Sequence, residues 1–179
     1  MRMGRPLYKN ILLISGTGRE VGKTTLACML LEKFRRRVTA LKISPHQHEI
    51  DDNADFIVRK KNFIILNETN LNGSKDSSRF LQSGAGKSIY VQADENHIFT
   101  AFNYLMKNHN GEAMICESAA LGRFIKPAVH LRVTNASEIV KKEGIDIPFD
   151  KLVINRDNNF RIIIEQVDLT NSEWILKND

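Results

Sequence analysis

Residues 15–25 read SGTGREVGKTT and raise a question of spacing. A standard phosphate-binding loop has a glycine, four variable residues and then Gly-Lys-Ser/Thr. Gly22, Lys23 and Thr24 supply the end of that pattern, but Thr17 stands where the first glycine should be. Glycines flank Thr17 on both sides, so the segment is either a phosphate loop of unusual length or a chance Gly-Lys-Thr.

The sequence on either side of the loop favours the first interpretation. Residues 8–15 form a short apolar run that predicts a buried strand, and residues 22–37 carry an apolar stripe of helical spacing. Residues 38–44 then predict a second strand. Strand, glycine loop, helix and strand make a βαβ unit, which is typical of parallel sheets. The loop is therefore predicted to be a phosphate cradle that is one residue longer than the standard one.

The rest of the chain continues the α/β pattern. Further strands are predicted at 62–68, 88–92, 112–118, 128–133, 151–155 and 160–169. Helices are predicted at 96–109 and 136–143, a polar loop at 69–79, and Trp174 is expected to cap the core. Because no linker or repeat divides the chain, we expect a single nucleotide-binding domain over residues 1–179. The predicted class is α/β, with a P-loop NTPase-like three-layer α/β/α architecture and a mostly parallel sheet.

Composition narrows the function classes. The formal charge of +5 favours acidic ligands such as nucleotides, whereas the basic clusters at 35–37 and 59–61 are too short to indicate nucleic-acid binding. No apolar run approaches the roughly 18 residues of a membrane span, and the stretch 11–14 is too short for a signal peptide. Cys28 and Cys116 lie among apolar neighbours, which predicts buried thiols in a reducing cytosol. We therefore expect a cytoplasmic protein without a membrane partner.

The loop residues have distinct expected roles. Backbone amides at the helix start would surround an oligophosphate, Lys23 would neutralise its β- and γ-phosphate charge, and the Thr24 hydroxyl would bind Mg²⁺. Lys23 is accordingly also a candidate catalytic residue. The predicted nucleotide-binding residues of the loop are Gly16, Thr17, Gly18, Arg19, Glu20, Val21, Gly22, Lys23, Thr24 and Thr25. A second Gly-Lys-Ser at 86–88 leads into a predicted strand rather than a helix, and we do not expect it to bind phosphate.

Other candidate site residues follow the predicted strands, because ligands of open parallel sheets bind at the carboxyl ends of the strands. Glu117 ends the strand at 112–118 and is placed to act on Mg²⁺ or on an attacking water, as metal ligand or catalytic residue. Asp51 or Asp52 could supply a second carboxylate to the metal. His46 and His48 could bind a metal together or line a polar rim.

Two known families share segments with this chain. GTGREVGKTT, through Gly16, Thr17 and residues 20–24, resembles the phosphate loop of dethiobiotin synthetase, a Gly-Thr-x-x-Glu-Val-Gly-Lys-Thr pattern. Residues 41–52, 73–85 and 114–118 resemble, in order, three segments of the molybdopterin-guanine dinucleotide biosynthesis adaptor family.

The second resemblance extends over residues 10–133, with departures from the family pattern. Lys42 is separated from His46 by Ile-Ser-Pro, an extra strand-like segment occupies 56–68, and Ser118 stands where the family has glycine.

The adaptor resemblance implies a GTP- and Mg²⁺-binding accessory factor of molybdenum-cofactor biosynthesis, a weak NTPase that forms a homodimer and contacts an enzyme of that pathway. It also implies that the charged block of Lys75, Asp76, Ser77 and Arg79 lies near the nucleotide or the partner surface. Asn155 ends a predicted strand where it could hydrogen-bond a purine, but the segment NRDN differs from the guanine signature Asn-Lys-x-Asp. The resemblance favours GTP, and ATP stays open.

Two alternatives remain at this point. The dethiobiotin synthetase resemblance implies an ATP-dependent ligase or a kinase that phosphorylates a small acidic substrate. A nucleotide-free scaffold with the same fold is the third possibility. Arg19 and Arg79 are the candidate arginine fingers, and Glu117 is the one strong candidate for a general base.

Overall fold

A computed structural model describes residues 4–136 and 147–177 of the chain. The opening βαβ unit has the predicted form. Strand β1 spans Leu7–Gly16, helix α1 spans Lys23–Phe34 and ends in a 3-10 turn at Arg35–Arg37, and strand β2 spans Thr39–Ser44. The glycine-rich loop therefore connects the carboxyl end of a buried strand to the first turn of a helix.

Eight strands and three helices follow among the described residues. They are β3 Asp55–Arg59, β4 Phe63–Asn67, α2 Asp76–Gln82, β5 Lys87–Ala93, α3 Ile98–His109, β6 Met114–Glu117, β7 Lys126–Asn135, β8 Lys151–Asn155, α4 Arg161–Gln166, β9 Val167–Thr170 and β10 Glu173–Leu176.

The main sheet has eight strands in the order β3-β4-β5-β2-β6-β1-β7-β8. The six strands from β5 to β8 in that order pair in parallel, while β4 pairs antiparallel with both β5 and β3. Strands β9 and β10 form a separate antiparallel hairpin. The prediction of an α/β protein with a mostly parallel sheet is confirmed. The segment 56–68 is an antiparallel hairpin that extends one edge of the sheet.

Two apolar cores lie on opposite faces of the sheet, because successive side chains of a strand point to opposite faces. Leu12 and Ile14 of β1 join the core that packs against α1, α2 and α4. Ile11 and Leu13 join the core that packs against α3. Helices on both faces of one sheet are compatible with a three-layer α/β/α arrangement.

Two predicted segments are wrong in type. The expected polar loop at 69–79 contains the start of α2, where Ser77 and Ser78 are buried and Asp76 occupies the favourable first turn. The expected strand at 160–169 is α4 followed by β9. Its run of isoleucines suggested a strand, yet Ile163 is buried while Ile162 is 72% exposed, as on a helix with one apolar face. The predicted helix at 136–143 lies almost entirely outside the described residues.

The remaining core predictions are confirmed. Trp174 is buried, and its indole packs edge-on against Phe34 with 5.0 Å between the ring centroids. Its Nε1 donates a hydrogen bond to the Asn10 carbonyl at 3.0 Å. Cys28 and Cys116 are buried free thiols, and burial raises the pKa of both. None of the described helices has the length and apolar character that a membrane span requires.

Candidate functional site

The glycine-rich loop is tied to the sheet at the position that departs from the standard pattern. Thr17 is buried, its backbone N–H donates to the Val133 carbonyl at 3.0 Å, and its hydroxyl donates to the Thr134 hydroxyl at 2.9 Å. A glycine could not make the hydroxyl contact. The threonine side chain thus points into the protein, and the neighbouring residues form the open side of the loop.

Two residues with positive φ accommodate the extra length. Glu20 has φ 56 and Gly22 has φ 101. Val21, between them, is fully buried in the core on the α1 side and anchors the loop. A Cβ at Gly22 would lie 2.5 Å from Asn155 Nδ2, so this position requires glycine both for its backbone conformation and for space.

Lys23 folds back over the loop. Its Nζ donates to the Gly18 carbonyl at 2.5 Å, and a Cβ at Gly16 would lie 2.7 Å from Lys23 Cδ. Gly16 therefore leaves room for the lysine stem, and the ammonium group is held above the loop. Gly22 is the N-cap of α1, and no side chain caps the first turn among the described residues. The lysine charge and uncapped helical amides thus occur at one place, together with Thr25 in the first turn.

A series of polar and charged contacts begins at Thr24, the residue after Lys23. Thr24 Oγ1 donates to Glu117 Oε2 at 2.9 Å, and Lys42 Nζ donates to Glu117 Oε1 at 2.6 Å. Lys42 Nζ also contacts Asp76 Oδ2 at 2.6 Å. Lys42 and Glu117 lie side by side because β2 and β6 are parallel neighbours with these two residues in register. The carboxyl ends of β2 and β6 therefore meet beside the loop.

The ammonium group of Lys42 is stabilised by the two carboxylates. Burial alone would lower the Lys42 pKa, but the charges of Glu117 and Asp76 outweigh it and raise the pKa. Burial would raise the Asp76 pKa, but Lys42, followed by the Thr24 hydroxyl and the Arg79 charge, holds it below its ordinary value. Lys42 and Asp76 are therefore both ionised at neutral pH, and Glu117 is almost fully buried against them.

Thr24 and Glu117 are side chains beside the loop that could hold a metal ion. No group of three His, Cys, Asp or Glu side chains that could hold a metal occurs in residues 4–136 and 147–177. Mg²⁺ in phosphate-transfer proteins usually takes one or two carboxylates and leaves other positions to phosphate and water. Thr24 and Glu117 provide a hydroxyl and a carboxylate of this kind, and Asp76 is the second carboxylate near Thr24.

Asn155 ends β8, as predicted, and its side chain supports the backbone of the glycine-rich loop. Asn155 Nδ2 donates to the Val21 carbonyl at 2.9 Å, and its Oδ1 accepts from the Asn158 N–H at 2.9 Å. The residue thus couples the end of β8 to the glycine-rich loop. Its role in recognising a purine stays a prediction.

The other predicted metal ligands lie apart from Thr24. Asp51 accepts hydrogen bonds from Asn53 within its own turn, and Asp52 pairs with Arg59 at 2.8 Å. The side chains of His46 and His48 are exposed, and within the described part of the chain neither belongs to a cluster that could hold a metal ion. A metal role for Asp51 stays a prediction, and the structure shows no contact between its carboxylate and Thr24 or Glu117 among the described residues.

A cavity of about 920 Å³ opens beside this network. Lys42 and Asp76 form part of its wall, and Asp51, His48 and Lys75 lie on its rim. The cavity is bounded by the end of β2, the segment before β3, the end of β4 and the first turn of α2. Residues 73–78 thus line the cavity, and Asp76 joins it to the Thr24–Glu117–Lys42 network.

The second Gly-Lys-Ser motif at 86–88, called the decoy below, and the two candidate arginines lie in described parts of the fold. Lys87 begins β5 and pairs with Glu112 at 3.6 Å, so the second Gly-Lys-Ser leads into a strand and not into a helix, as predicted. Arg19 is exposed in the loop. Arg79 lies in α2, close enough to Asp76 to act on its pKa.

The ion pair between Asp76 and Lys42 was not predicted from the sequence. The Lys42 position at the end of β2 was predictable, but its partner Asp76 belongs to a helix that the polar sequence 69–79 concealed. The segment 67–76 has no helical periodicity, so only the adaptor resemblance predicted Asp76 near the nucleotide, and nothing predicted its contact with Lys42.

Comparison of the chain with known proteins found no match. No family model, curated protein or solved structure matches the chain significantly.

Proposed function

We propose that the chain binds a purine nucleoside triphosphate together with Mg²⁺ at the loop of residues 16–25. One observation carries the proposal: Lys23 is folded over the glycine-rich loop at an uncapped helix start while Thr24, the next residue, contacts the buried Glu117. This is the combination that an oligophosphate with a magnesium ion requires, namely amides and a cation for the phosphate and oxygen ligands for the metal. The proposed architecture is accordingly that of a P-loop NTPase.

Each residue has a proposed task. Lys23 attracts the β- and γ-phosphates, and the amides of residues 22–25 donate to their oxygens. Thr24 and Glu117 hold the metal, either directly or through water. Glu117 is also a carboxylate next to the loop that could orient a water for hydrolysis. Because that carboxylate is also bound by Lys42 and Thr24, we expect slow turnover.

The pathway is a separate part of the proposal. The segments 41–52, 73–85 and 114–118 support an accessory role in molybdopterin-guanine dinucleotide biosynthesis, with GTP as ligand, a homodimer and an enzyme partner from that pathway. The structural support concerns nucleotide binding alone. The pathway is tested by asking whether the protein stimulates the attachment of GMP to molybdopterin by the purified nucleotidyltransferase.

Calorimetric titration tests nucleotide binding. GTP, ATP and a non-hydrolysable analogue are titrated with and without Mg²⁺ into the wild-type protein, Lys23→Ala and Lys87→Ala. Lys23→Ala should weaken triphosphate binding by about 2–4 kcal/mol, because a charge-assisted contact of one or two hydrogen bonds is lost. Lys87→Ala serves as the matched control, since Lys87 occupies the same motif position in the decoy and should leave the affinity unchanged.

The outcomes separate the competing interpretations. Equal affinity of wild type and Lys23→Ala would refute the loop assignment, and a large loss in Lys87→Ala would move the site to the decoy. If neither GTP nor ATP binds, the protein is a nucleotide-free scaffold.

A second function is favoured by one observation. The cavity beside Lys42 and Asp76 would place a second molecule next to the phosphate loop, as an ATP-dependent ligase or small-molecule kinase requires. In that case phosphate release should be stoichiometric with a modified small molecule. Tight binding with negligible turnover would instead support the accessory role.

A further inference from the structure

The residue immediately before the phosphate loop makes a buried side-chain contact that the proposed nucleotide site does not use. Ser15 is the last residue of β1 before Gly16, and its Oγ lies 2.8 Å from Nε2 of His130 on β7. The two residues are 7% and 2% exposed, so water has little access to this hydrogen bond. The contact therefore fixes the end of β1 on β7 from within the protein.

A backbone carbonyl determines which nitrogen of the imidazole ring carries the hydrogen. His130 Nδ1 lies 2.8 Å from the Pro148 carbonyl, and a carbonyl oxygen can only accept, so Nδ1 is the donor. In the neutral ring Nε2 is then an acceptor, and the Ser15 hydroxyl donates to it. Gly122 closes a third side of the ring, since a Cβ there would lie 3.2 Å from His130 Cε1. One tautomer in one orientation thus faces Ser15.

The surroundings of the ring keep it neutral. Burial lowers the His130 pKa, and the charges of Arg132 and Arg5 lower it further. The Pro148 carbonyl and the Asp150 carboxylate act in the opposite direction but do not outweigh burial. Asp150 Oδ2 also accepts from the His130 backbone N–H at 2.7 Å. A protonated ring would therefore be a poorly hydrated cation, and moving out toward water would relieve it.

Two side-chain contacts with β7 flank Gly16, the first glycine of the loop. On one side is the Ser15 contact, and on the other the Thr17 hydroxyl donates to Thr134 of the same strand. Gly16 itself packs against Lys23, since a Cβ there would lie 2.7 Å from Lys23 Cδ. The position of Gly16 therefore determines the space in which the lysine stem lies.

We propose that His130 is a positioning residue of the phosphate loop and that its neutral ring is required for tight nucleotide binding. It acts through Ser15: the ring holds the hydroxyl, the hydroxyl fixes the strand end before Gly16, and Gly16 sets the path of Lys23. The inference rests on the proposed function, because it concerns the affinity of the same loop for a nucleoside triphosphate. It adds a dependence on pH, since nucleotide affinity falls as His130 takes up a proton.

Two isosteric variants separate the contacts of the ring. Asparagine places its amide near the Nδ1 position and can keep the hydrogen bond to Pro148, whereas glutamine reaches the Nε2 position and can keep the one to Ser15. Calorimetric titration with GTP or ATP and Mg²⁺ at about pH 7.5 should show a loss of about three- to tenfold in affinity for His130→Asn and Ser15→Ala, as expected for one hydrogen bond. His130→Gln should retain more of the affinity than His130→Asn.

The pH profile shows whether the ring acts through its protonation state. Affinity is measured between about pH 8 and pH 5.5 for wild type and His130→Asn, and the difference between the two proteins cancels the titration of the nucleotide itself. The wild-type advantage should be present above the ordinary histidine value of 6.5 and shrink as pH falls below it, because the protonated ring no longer holds Ser15. Calorimetry reports affinity and active fraction separately, so partial unfolding at low pH lowers the number of sites without changing the dissociation constant.

His109→Asn is the matched control at the opposite end of the sheet. His109 ends α3, close to the amino end of β6, and its Nδ1 lies 3.1 Å from Glu112 Oε2. The phosphate loop lies at the carboxyl ends of the parallel strands, so this change should leave nucleotide affinity and its pH profile unchanged. Ser15→Ala keeps the ring and its Pro148 contact, so it tests the proposal even if the His130 variants fail to fold.

The proposal is overturned if Ser15→Ala binds nucleotide like the wild type, if His130→Gln is no better than His130→Asn, or if the wild-type advantage does not change with pH. Lys23→Ala distinguishes this failure from that of the proposed function. If Lys23→Ala loses affinity while His130→Asn does not, the phosphate loop stands and the role of His130 is wrong. A wild type that binds no nucleotide removes both proposals.

Discussion

Replacing Lys42 by methionine should destabilise the protein strongly, because it removes the cation between two carboxylates. The Glu117 side chain is 2% exposed and that of Lys42 is 18% exposed, so the contact between them is largely shielded from water. Removing one partner of a buried pair costs about 3–5 kcal/mol. Asp76 is 35% exposed and can regain hydration, so we expect about 3 kcal/mol, at the lower end of this range. For a chain of this size that corresponds to a fall in Tm of about 6–12 °C.

Urea and thermal unfolding followed by circular dichroism measure this loss. Lys42→Met/Glu117→Gln should recover at least half of it, because the glutamine keeps an acceptor for Thr24 and carries no charge. Lys87→Met is the surface control. Lys87 is 58% exposed and 3.6 Å from its partner, so the cost should stay under about 0.5 kcal/mol.

The loss should also depend on pH. In the wild type the Asp76 pKa is lowered, so its contribution is present above the ordinary value of 3.8 and is lost as pH falls below it. The difference between wild type and Lys42→Met should therefore narrow as pH falls below that value. A variant as stable as the wild type at pH 7, or a double variant no better than the single one, would refute the reasoning.

Further predictions concern the loop, the sheet and the hairpin. Gly22→Ala should cost more stability than Gly111→Ala by about 1–3 kcal/mol in urea unfolding, because both have positive φ but only at Gly22 would a Cβ meet a neighbour, Asn155. Equal losses would refute the contact. Burial lowers the pKa of His130, so stability should fall as pH drops below the ordinary histidine value of 6.5, and His130→Asn should flatten that slope in pH-dependent unfolding. Trp174→Phe should cost about 1 kcal/mol or more, since an indole hydrogen bond is lost; an unchanged midpoint would contradict it.

The first third of the fold was predictable because its signals are local. The apolar run 8–15, the glycine-rich loop and the helical stripe of residues 22–37 each carry their own periodicity. The meeting of Lys42 and Glu117 was predictable for a different reason. Both residues end parallel strands, and the carboxyl ends of parallel strands share one edge of the sheet.

The positions that sequence patterns missed depend on tertiary contacts. Helix α2 is built from serines and an aspartate that usually indicate a loop, and it is stabilised by burial of Ser77, Ser78 and Phe80 against the sheet. Thr17 departs from the standard loop because its hydroxyl bonds to Thr134 in a strand more than a hundred residues away. No local pattern carries either contact.

Lys42 organises the candidate site because it joins the carboxylate beside the phosphate loop to the one that lines the cavity. Its ammonium group contacts Glu117, which accepts from Thr24 beside the phosphate loop, and Asp76, which lines the cavity. Asp76→Asn removes one of these two charges, so Lys42 is left with Glu117 alone. Its hold on that carboxylate should then strengthen, and Glu117 should be less available to a metal at Thr24. Asp76→Asn should therefore weaken Mg²⁺-dependent nucleotide binding, and calorimetry of GTP with and without Mg²⁺ measures this in both proteins. Identical affinities of wild type and Asp76→Asn in the presence of Mg²⁺ would show that the two contacts of Lys42 are independent.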